Sequence, residues 1–251
     1  MTQETIALIT GATRGMGREI AKELAAAGQT VLIGSRKLSD GEKIAAEILS
    51  AGGKAEALQL DVTDSLSVEA AAKTVADQFG YLSILINNAG VNVDERQLPS
   101  ALSLTKIRAE FDVNFFGLIN VTQTFLPLLK KASKAKILIM SSMMGSIGSA
   151  LNPETTVYRA VAAGYQASKA AVNMYNVQLA KELGLENPDI TVNLVDPGLV
   201  ATEFAGSTPE LTASFGGKTV EEGVRRMVEL ALTENLTDTA TYTNTDGVVP
   251  W

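Results

Sequence analysis

Residues 5–27 read TIALITGATRGMGREIAKELAAA, and the interpretation of the whole chain starts from this stretch. The apolar run at 5–10 favours a buried strand, and the alanine-rich run at 15–27 favours a helix. The glycines between them allow a tight turn and a close approach of backbone to ligand, and the helix start favours a phosphate. Their spacing is not G-x-G-x-x-G, so the prediction rests on the strand-to-helix position. The candidate residues are Gly11, Thr13, Arg14, Gly15, Met16 and Gly17.

The same alternation of short apolar runs and longer helical stretches continues along the chain. Strands are expected at 5–10, 30–34, 55–60, 84–87, 136–140 and 190–195. Helices are expected at 15–27, 40–51, 65–79, 105–131, 162–183 and 220–232. Strands joined by helices form parallel sheets covered on both faces, which also accounts for strands that are apolar throughout. We expect an α/β fold: a single domain over 1–251 with a Rossmann-type doubly wound parallel β-sheet flanked by helices on both faces.

Two segments look looser than the rest. Residues 146–164 separate the fifth strand from the next helix, and residues 204–218 are rich in Gly, Ser, Thr and Pro. The second segment also carries large apolar side chains, which is typical of a lid over a small-molecule site. An irregular surface loop is the alternative interpretation.

The composition excludes several kinds of function. The 251-residue chain has a formal charge of -7 and a sequence pI near 4.8, whereas nucleic acids and anionic membranes require clustered Lys and Arg. The chain contains no Cys and no His, which removes thiol nucleophiles, Ser-His-Asp hydrolysis and the usual zinc ligands, so we expect no metal. Residues 1–4 have no basic leader, and no apolar run approaches the roughly 20 residues of a membrane span. A cytoplasmic protein is expected.

The end of the second expected strand indicates which nucleotide binds. NAD-binding folds place an acid there, about 20 residues beyond the glycines, to accept from the ribose hydroxyls. This chain has Gly34-Ser35-Arg36-Lys37 and no acid before Asp40. Arg36, helped by Arg14, can pair with a 2′-phosphate, so we predict NADP(H). Further cofactor contacts are expected at strand ends, with Asp61 accepting from the adenine amino group: Ser35, Asp61, Val62, Asn88, Ala89 and Gly90.

A tyrosine and a lysine four residues apart offer the acid–base chemistry that this composition allows. Tyr165 and Lys169 lie on one face of an expected helix, so phenol and ammonium can share a pocket. A positive charge at about 4 Å, with an effective dielectric of about 20, favours the phenolate by roughly 4 kcal/mol. We therefore expect Lys169 to lower the Tyr165 pKa from about 10 toward neutrality. Such a pair also occurs by chance on many helices.

Five motifs, in order along the chain, resemble those of the classical short-chain dehydrogenase/reductase family. They are the glycine loop, Asn87-Asn88-Ala89-Gly90, Ser141-Ser142, the Tyr165–Lys169 pair and Pro197-Gly198. Together they span nearly the whole chain, roughly residues 5 to 245. The complete set is far more specific than any one member.

The resemblance implies reduction of a carbonyl by hydride transfer from a nicotinamide. Tyr165 would protonate the carbonyl oxygen, and Lys169 would bind the nicotinamide ribose and lower the Tyr165 pKa. Ser142 would hydrogen-bond the substrate oxygen. Asn114 would hold a water that relays protons to Lys169. Besides Tyr165 and Lys169, the cofactor would contact Pro197, Gly198, Val200 and Thr202.

Two departures from the common family pattern indicate one branch of the family. Ser142 and Tyr165 are 23 residues apart instead of about a dozen, and the extra residues would form an added loop or short helix over the active site. The chain ends in Pro250-Trp251 rather than Gly-Gly. Both features resemble the carbonyl reductase branch, so we expect apolar or aromatic ketones and aldehydes as substrates. The expected pocket, of which several members would alternatively be core, consists of Met143, Met144, Leu151, Val157, Tyr158, Val161, Leu199 and Phe204.

Two alternatives remain from the sequence. A 3-oxoacyl thioester (acyl carrier protein) reductase would share the motifs, and the long insert and altered C-terminus count against it. A non-catalytic NADP(H)-sensing protein would use the same fold, and retention of the whole motif set counts against it. Family members commonly pair through helices equivalent to 105–131 and 162–183, whereas the carbonyl reductase branch can be monomeric, so a homodimer, a homotetramer and a monomer all stay open.

Overall fold

The structure is a computed structural model that describes residues 3–251; residues 1 and 2, which enter the expectation of no leader, lie outside this range. The strands within it are β1 (Ile6–Thr10), β2 (Thr30–Ser35), β3 (Lys54–Gln59), β4 (Ile84–Asn87), β5 (Ala135–Met140), β6 (Ile190–Val195), β7 (Thr241–Asn244) and β8 (Gly247–Val248). They form one sheet in the order β3-β2-β1-β4-β5-β6-β7-β8, parallel except for the last pair. The order reverses between β1 and β4, where ligands of doubly wound folds bind.

Helices connect the parallel strands and cover both faces of the sheet. The helices are α1 (Gly15–Ala26), α2 (Leu38–Ser50), α3 (Ser65–Gln78), α4 (Leu104–Phe111), α5 (Leu118–Leu129), α6 (Ile147–Leu151), α7 (Ala163–Glu186), α8 (Pro209–Ser214) and α9 (Val220–Leu232). Within the described range, no helix has both the length and the apolar character needed to cross a membrane.

Successive residues of β1 show how the two faces are filled. Ile6 and Leu8 pack in one core layer with side chains of α3, α5 and α7. Ala7 and Ile9 pack in the other layer with side chains of α1, α2 and α9. Because side chains alternate across a strand, a strand that is apolar at every position needs helices on both faces. The predicted Rossmann-type doubly wound fold is confirmed.

The helix predicted at 105–131 is present, but a π-helical turn interrupts its regular geometry. The structure has α4, then a π-helical turn at Asp112–Gly117, then α5. The chain crosses the end of β3 here: a Cβ on Gly117 would lie 2.8 Å from Cγ2 of Val62 and 3.1 Å from the carbonyl of Asp112. A π-turn widens the helix locally and is frequent at functional sites. Apolar periodicity runs through the turn, so the pattern alone conceals it.

The last two strands were not predicted, and the two loose segments contain short helices. β7 reads TYTN, with only Tyr242 and Thr243 buried, so it lacks the apolar run that marks the other strands. Residues 146–164 contain α6 and a 3₁₀ turn at Thr156–Arg159, as expected for a loop or short helix. Residues 204–218 contain α8 and are therefore not wholly irregular.

Candidate active site

The loop after β1 is held by glycine conformations and by one asparagine. Gly11 and Gly15 have φ of 64° and 51°, in the left-handed region that side chains disfavour. Asn88 donates its side-chain amide to the carbonyls of Thr10 and Gly11, at 2.9 and 3.2 Å. A Cβ on Gly17 would lie 2.5 Å from that amide nitrogen. The amide of Asn88 therefore braces the loop, in addition to the cofactor contact predicted for this residue.

The start of α1 follows the loop directly, and its first backbone N–H groups are available to an anion. Arg14 precedes the helix and provides no side-chain cap, so the first N–H groups are not satisfied by that residue. Met16 packs its partly buried side chain against the core. Thr202 lies over the loop, its Cγ2 3.5 Å from a Cβ built on Gly15. Arg14 itself pairs with Glu203 at 3.2 Å, so a phosphate there would compete with this carboxylate.

The end of β2 lies beside the loop and carries exposed cations. The buried Ser35 donates its hydroxyl to the carbonyl of Lys37, which turns the chain after the strand. Arg36 and Lys37 are exposed. The nearest acid along the chain, Asp40, pairs with Lys43 at 3.1 Å. Among residues 3–251, Arg36 thus has no salt-bridge partner and is free to meet an anion.

The end of β4 lies on the other side of the loop, and the end of β3 lies beyond β2. Asp61 accepts from the backbone N–H and the hydroxyl of Thr63 at 3.0 and 2.8 Å, through one oxygen, so its other oxygen stays open. Val62 is buried. Ala89 comes close to the loop, because a Cβ on Gly11 would lie 3.1 Å from its Cα. Small residues here keep the backbone accessible.

Tyr165 and Lys169 lie together in the first turns of α7. Both are buried, with 7% and 5% exposed. The Lys169 ammonium lies 5.8 Å from the centroid of the Tyr165 ring and donates to the carbonyl of Met140 at 2.8 Å. The Ser142 side chain lies near the Tyr165 hydroxyl and lowers its pKa. A phenol, a hydroxyl and an ammonium therefore converge where β5 ends.

The protonation of this group differs from the expectation. Burial raises the pKa of the Tyr165 hydroxyl above its usual value, and the nearby Ser142 side chain offsets only part of that rise. Burial also lowers the pKa of the Lys169 ammonium to about 8. The predicted lowering of the Tyr165 pKa is therefore wrong in this structure, because desolvation outweighs an ammonium held by the Met140 carbonyl. A neutral phenol is the form that donates a proton.

Asn114 lies in the π-helical turn and is 1% exposed. It exchanges hydrogen bonds of 2.8 Å with the backbone N–H and carbonyl of Val91, and it donates to the Ser168 hydroxyl at 3.0 Å. Its oxygen and the Lys169 ammonium both border Gly90, at 3.4 and 3.8 Å from a Cβ built there. Asn114 thus ties the segment after β4 to α7, and its proton-relay role stays a prediction.

The segment after β6 connects the site to residues 204–218. Pro197 is buried, and Gly198 has a left-handed φ of 76°. Val200 forms an isolated parallel bridge with Lys218, whose side chain passes 3.7 Å from a Cβ built on Gly198. The far end of the predicted lid is therefore held beside the residues predicted to contact the nicotinamide.

The side chains predicted for the substrate pocket divide by exposure. Phe204 is 38% exposed, and its ring packs edge-on against Tyr165 with ring centroids 5.7 Å apart. Met143 and Met144 are partly buried, and Met143 packs against the core. Val157 is 5% exposed and belongs to the interior. The remaining ones are exposed: Leu151, Tyr158, Val161 and Leu199.

Three buried acids near the site were missed from the sequence: Asp94, Glu110 and Asp196. Asp196 accepts from the backbone N–H of Met143 at 2.8 Å and so positions the turn that begins at Ser142. It follows an apolar strand directly, which is a usable signal. The other two lack such a signal. In the described part of the chain, no group of three or more acids is placed to hold a metal ion.

Fold and site together define a doubly wound α/β protein with a glycine loop at its first strand-to-helix junction and a buried tyrosine–lysine pair beside a serine. The family model of the short chain dehydrogenases matches residues 5–212. The chain belongs to this family of oxidoreductases, and the resemblance inferred from its motifs is confirmed.

Similar proteins span most of the chain. A short-chain dehydrogenase, anuI, from Penicillium roqueforti is 36% identical over 233 residues, covering 90% of this chain and 88% of the relative. A 3-oxoacyl-[acyl-carrier-protein] reductase from Synechocystis is 34% identical over 200 residues, covering 79% and 75%. The solved structure of an alcohol dehydrogenase from the archaeon Thermococcus sibiricus, complexed with 5-hydroxy-NADP, superposes with a TM-score of 0.80 at 28% identity, covering 96% and 95%.

Proposed function

We propose that this oxidoreductase reduces ketones and aldehydes to alcohols with NADPH. The observation that carries the proposal is the convergence of Tyr165, Ser142 and Lys169 at the same sheet edge as the glycine loop. Reduction of a carbonyl to an alcohol requires a proton donor and stabilisation of negative charge. A neutral phenol can donate the proton, and the neighbouring cation stabilises the charge. In the sensor alternative, a buried ammonium and phenol would carry their desolvation cost without use.

The residues present fit a nicotinamide dinucleotide. The uncapped start of α1 offers N–H groups to a pyrophosphate, and left-handed Gly11 and Gly15 bring the backbone close to it. Ala89 and Gly90 leave room along the path to α7. The structural neighbour with 5-hydroxy-NADP supports the same cofactor class here. When bound, the reduced nicotinamide supplies a hydride.

The phosphorylated form, NADP(H), is favoured by the charges at the end of β2. Arg36 is exposed, and the nearby acid Asp40 is paired with Lys43. An acid directly after the strand would repel a 2′-phosphate, and none follows β2 before Asp40. A guanidinium can hold a phosphate through two parallel hydrogen bonds.

The chain's own residues then complete the reduction. The Tyr165 hydroxyl donates its proton to the carbonyl oxygen, and the Ser142 hydroxyl holds that oxygen and the phenol together. The charge of Lys169 stabilises the phenolate that remains after proton transfer. The Phe204 ring covers the phenol ring and limits access of water.

An apolar carbonyl compound is the substrate class that the surroundings of Tyr165 support. Phe204, Met143 and Met144 are large and apolar, and methionines adapt to varied shapes. The second candidate is a 3-oxoacyl thioester, favoured by relatives named as 3-oxoacyl-[acyl-carrier-protein] reductases at 34% and 35% identity. Of the two substrate classes, only the thioester carries a long carrier arm, which would lie along the exposed side chains of Leu151, Tyr158 and Leu199.

The test is the oxidation of NADPH and of NADH over a panel of aromatic ketones, aliphatic aldehydes and one acetoacetyl thioester. We expect NADPH-dependent reduction of the simple carbonyls at a higher kcat/KM than the thioester. Dominant thioester turnover would transfer the assignment to the second candidate. Tight NADPH binding without reduction of any compound would contradict a reductase and favour the sensor.

A further inference from the structure

Two buried carboxyl groups lie beside the first turn of α7, next to Gly164. Asp94 belongs to the segment after β4 and Glu110 to the last turn of α4. Their exposed fractions are 1% and 0%. Acidic side chains are almost never this buried unless they are paired, so these two require an explanation.

Asp94 caps α7 from a distant part of the chain. Ala162 precedes the helix and has no side chain that can cap it. Asp94 instead accepts from the backbone N–H of Tyr165 at 3.1 Å, in the first turn of the helix. Glu110 accepts from the backbone N–H of Val93 at 2.7 Å and so holds the segment that carries Asp94. The contact fixes the backbone of the proton donor itself.

One oxygen of each carboxyl group has no donor. The buried Oδ1 of Asp94 and Oε2 of Glu110 lack hydrogen-bond partners, and both face the Cα of Gly164. A Cβ on Gly164 would lie 2.9 Å from the Asp94 oxygen and still closer to the Glu110 oxygen. The two oxygens therefore border the same point, and the neighbouring Asp94 raises the pKa of Glu110. A single proton between them would satisfy both oxygens.

No cation compensates this pair within the described residues. From α4, Lys106 turns to Glu95 at 2.7 Å, and Arg108 is exposed. From the segment after β4, Arg96 is exposed. From α7, the facing titratable group is Tyr165, while the Lys169 ammonium is held by a carbonyl on the other side. Two carboxylates in contact, without a cation, do not both ionise readily.

We propose that Asp94 and Glu110 share one proton and that the protonated pair is a positioning element for Tyr165. The pair holds the first turn of α7, and hence the phenol, at the distance that proton transfer requires. This inference rests on the proposed reductase function for its kinetic consequences only. The shared proton itself is a property of the fold.

The pair makes both activity and stability sensitive to pH. Burial, reinforced by the neighbouring Asp94, raises the pKa of Glu110 to about 7. An unfolded glutamate loses its proton near its reference pKa of about 4.3. The folded protein therefore binds the extra proton between these values, and its stability falls as pH rises through that interval. Above pH 7 the two carboxylates repel each other behind Tyr165.

The shared proton can be tested without any activity. The infrared carbonyl stretch of a protonated carboxyl group should appear in the difference between the unsubstituted protein and Glu110→Gln, and it should vanish as pH rises through about 7. Glu95→Gln is the matched control, because Glu95 is an exposed neighbour of Asp94 and should leave the band intact. The absence of a protonated band at pH 5 would overturn the proposal.

The positioning role is tested by three substitutions and by hydrogen exchange at the Tyr165 backbone amide. Asp94→Ala should lower kcat about 10- to 100-fold, with the KM for NADPH little changed, and should speed exchange of the Tyr165 amide hydrogen. Asp94→Asn keeps an acceptor for that amide and should restore most of the activity. Glu110→Gln mimics the protonated acid, so it should remain active and lose the decline in kcat near pH 7.

The outcomes separate this proposal from the proposed function. Suppose that the protein reduces no carbonyl but shows the infrared band and the Asp94-dependent protection of the Tyr165 amide. That result would support the shared proton and contradict the reductase assignment. Unchanged kcat and amide exchange in Asp94→Ala would overturn the positioning role. If Asp94→Ala does not fold, Asp94→Asn and Glu110→Gln still test the positioning role. An Asp94→Asn variant whose kcat is equally low at pH 6 and at pH 9 would contradict that role.

Discussion

The glycine loop after β1 and the Tyr165–Lys169 pair of α7 lie at the same edge of the sheet, but they are built differently. In the loop, backbone conformation is decisive: Gly11 and Gly15 adopt left-handed φ, and main-chain N–H groups are the ones proposed to face the cofactor. In α7, buried side chains are decisive: Tyr165 and Lys169 are almost fully enclosed and find partners far along the chain.

This difference determines how each region responds to change. A loop made of backbone is limited by steric fit and tolerates exchange of its exposed side chains. A buried polar group depends on each of its partners, because an unsatisfied partner in the interior costs about 1–3 kcal/mol. Substitutions in α7 should therefore affect the chemical step, whereas those around the loop should affect cofactor choice or folding.

The largest effect is expected from Tyr165→Phe, which removes the proton donor and keeps the ring beside Phe204. Loss of a general acid lowers kcat by about 10²- to 10⁴-fold. Steady-state turnover of the best carbonyl substrate measures it. Tyr81→Phe is the matched control, because the Tyr81 hydroxyl bonds the Glu4 carbonyl at the opposite end of the strands and should not affect turnover. Equal activity of both variants would remove Tyr165 from the mechanism.

A smaller effect is expected from Arg36→Ala at the end of β2. Loss of a charged hydrogen-bond donor to the 2′-phosphate should reduce the ratio of kcat/KM for NADPH to that for NADH by about 10- to 100-fold. Lys43→Ala removes an equally exposed cation that is already paired with Asp40, and it should leave the ratio unchanged. An unaltered ratio in Arg36→Ala would show that another group reads the phosphate.

The pH dependence of the reaction should reveal Lys169. Its pKa is lowered to about 8 by burial, so the ammonium is charged below that pH and neutral above it. In a Glu110→Gln background, kcat/KM for NADPH should be flat below pH 8 and fall about tenfold per pH unit above it. Lys169→Arg keeps its charge at every pH and should lack the break, if it binds cofactor. A profile that is flat to pH 10 in the same Glu110→Gln background counts against a titrating Lys169.

The smallest effect on chemistry and a clear effect on stability are expected from Gly17→Ala. The new methyl group would lie 2.5 Å from the Asn88 amide and the Gly11 carbonyl, and such overpacking costs about 1–3 kcal/mol. Gly184→Ala is the contrasting control, because no atom lies within 4 Å of its Cβ in α7, and it should stabilise the helix by about 0.5–1 kcal/mol. Urea denaturation measures both, and similar signs would contradict the steric argument.

Much of the fold was predictable because its signals are local. All six predicted helical stretches and all six predicted strands correspond to elements of the structure, since apolar runs and glycine punctuation act over a few residues. The π-helical turn at Asp112–Gly117 and the polar strand β7 were not predictable in this way. Both form because a neighbouring element, rather than their own sequence, supplies the contacts.

The sequence by itself determined the family, the doubly wound sheet, the position of the glycine loop and the shared helical face of Tyr165 and Lys169. Each of these follows from residue order over short distances. Only the tertiary structure decided that the Tyr165 pKa is raised rather than lowered, and that Asp94, 71 residues away, caps the helix that carries it. Desolvation and long-range hydrogen bonds depend on what surrounds a group after folding, and no spacing along the chain encodes that environment.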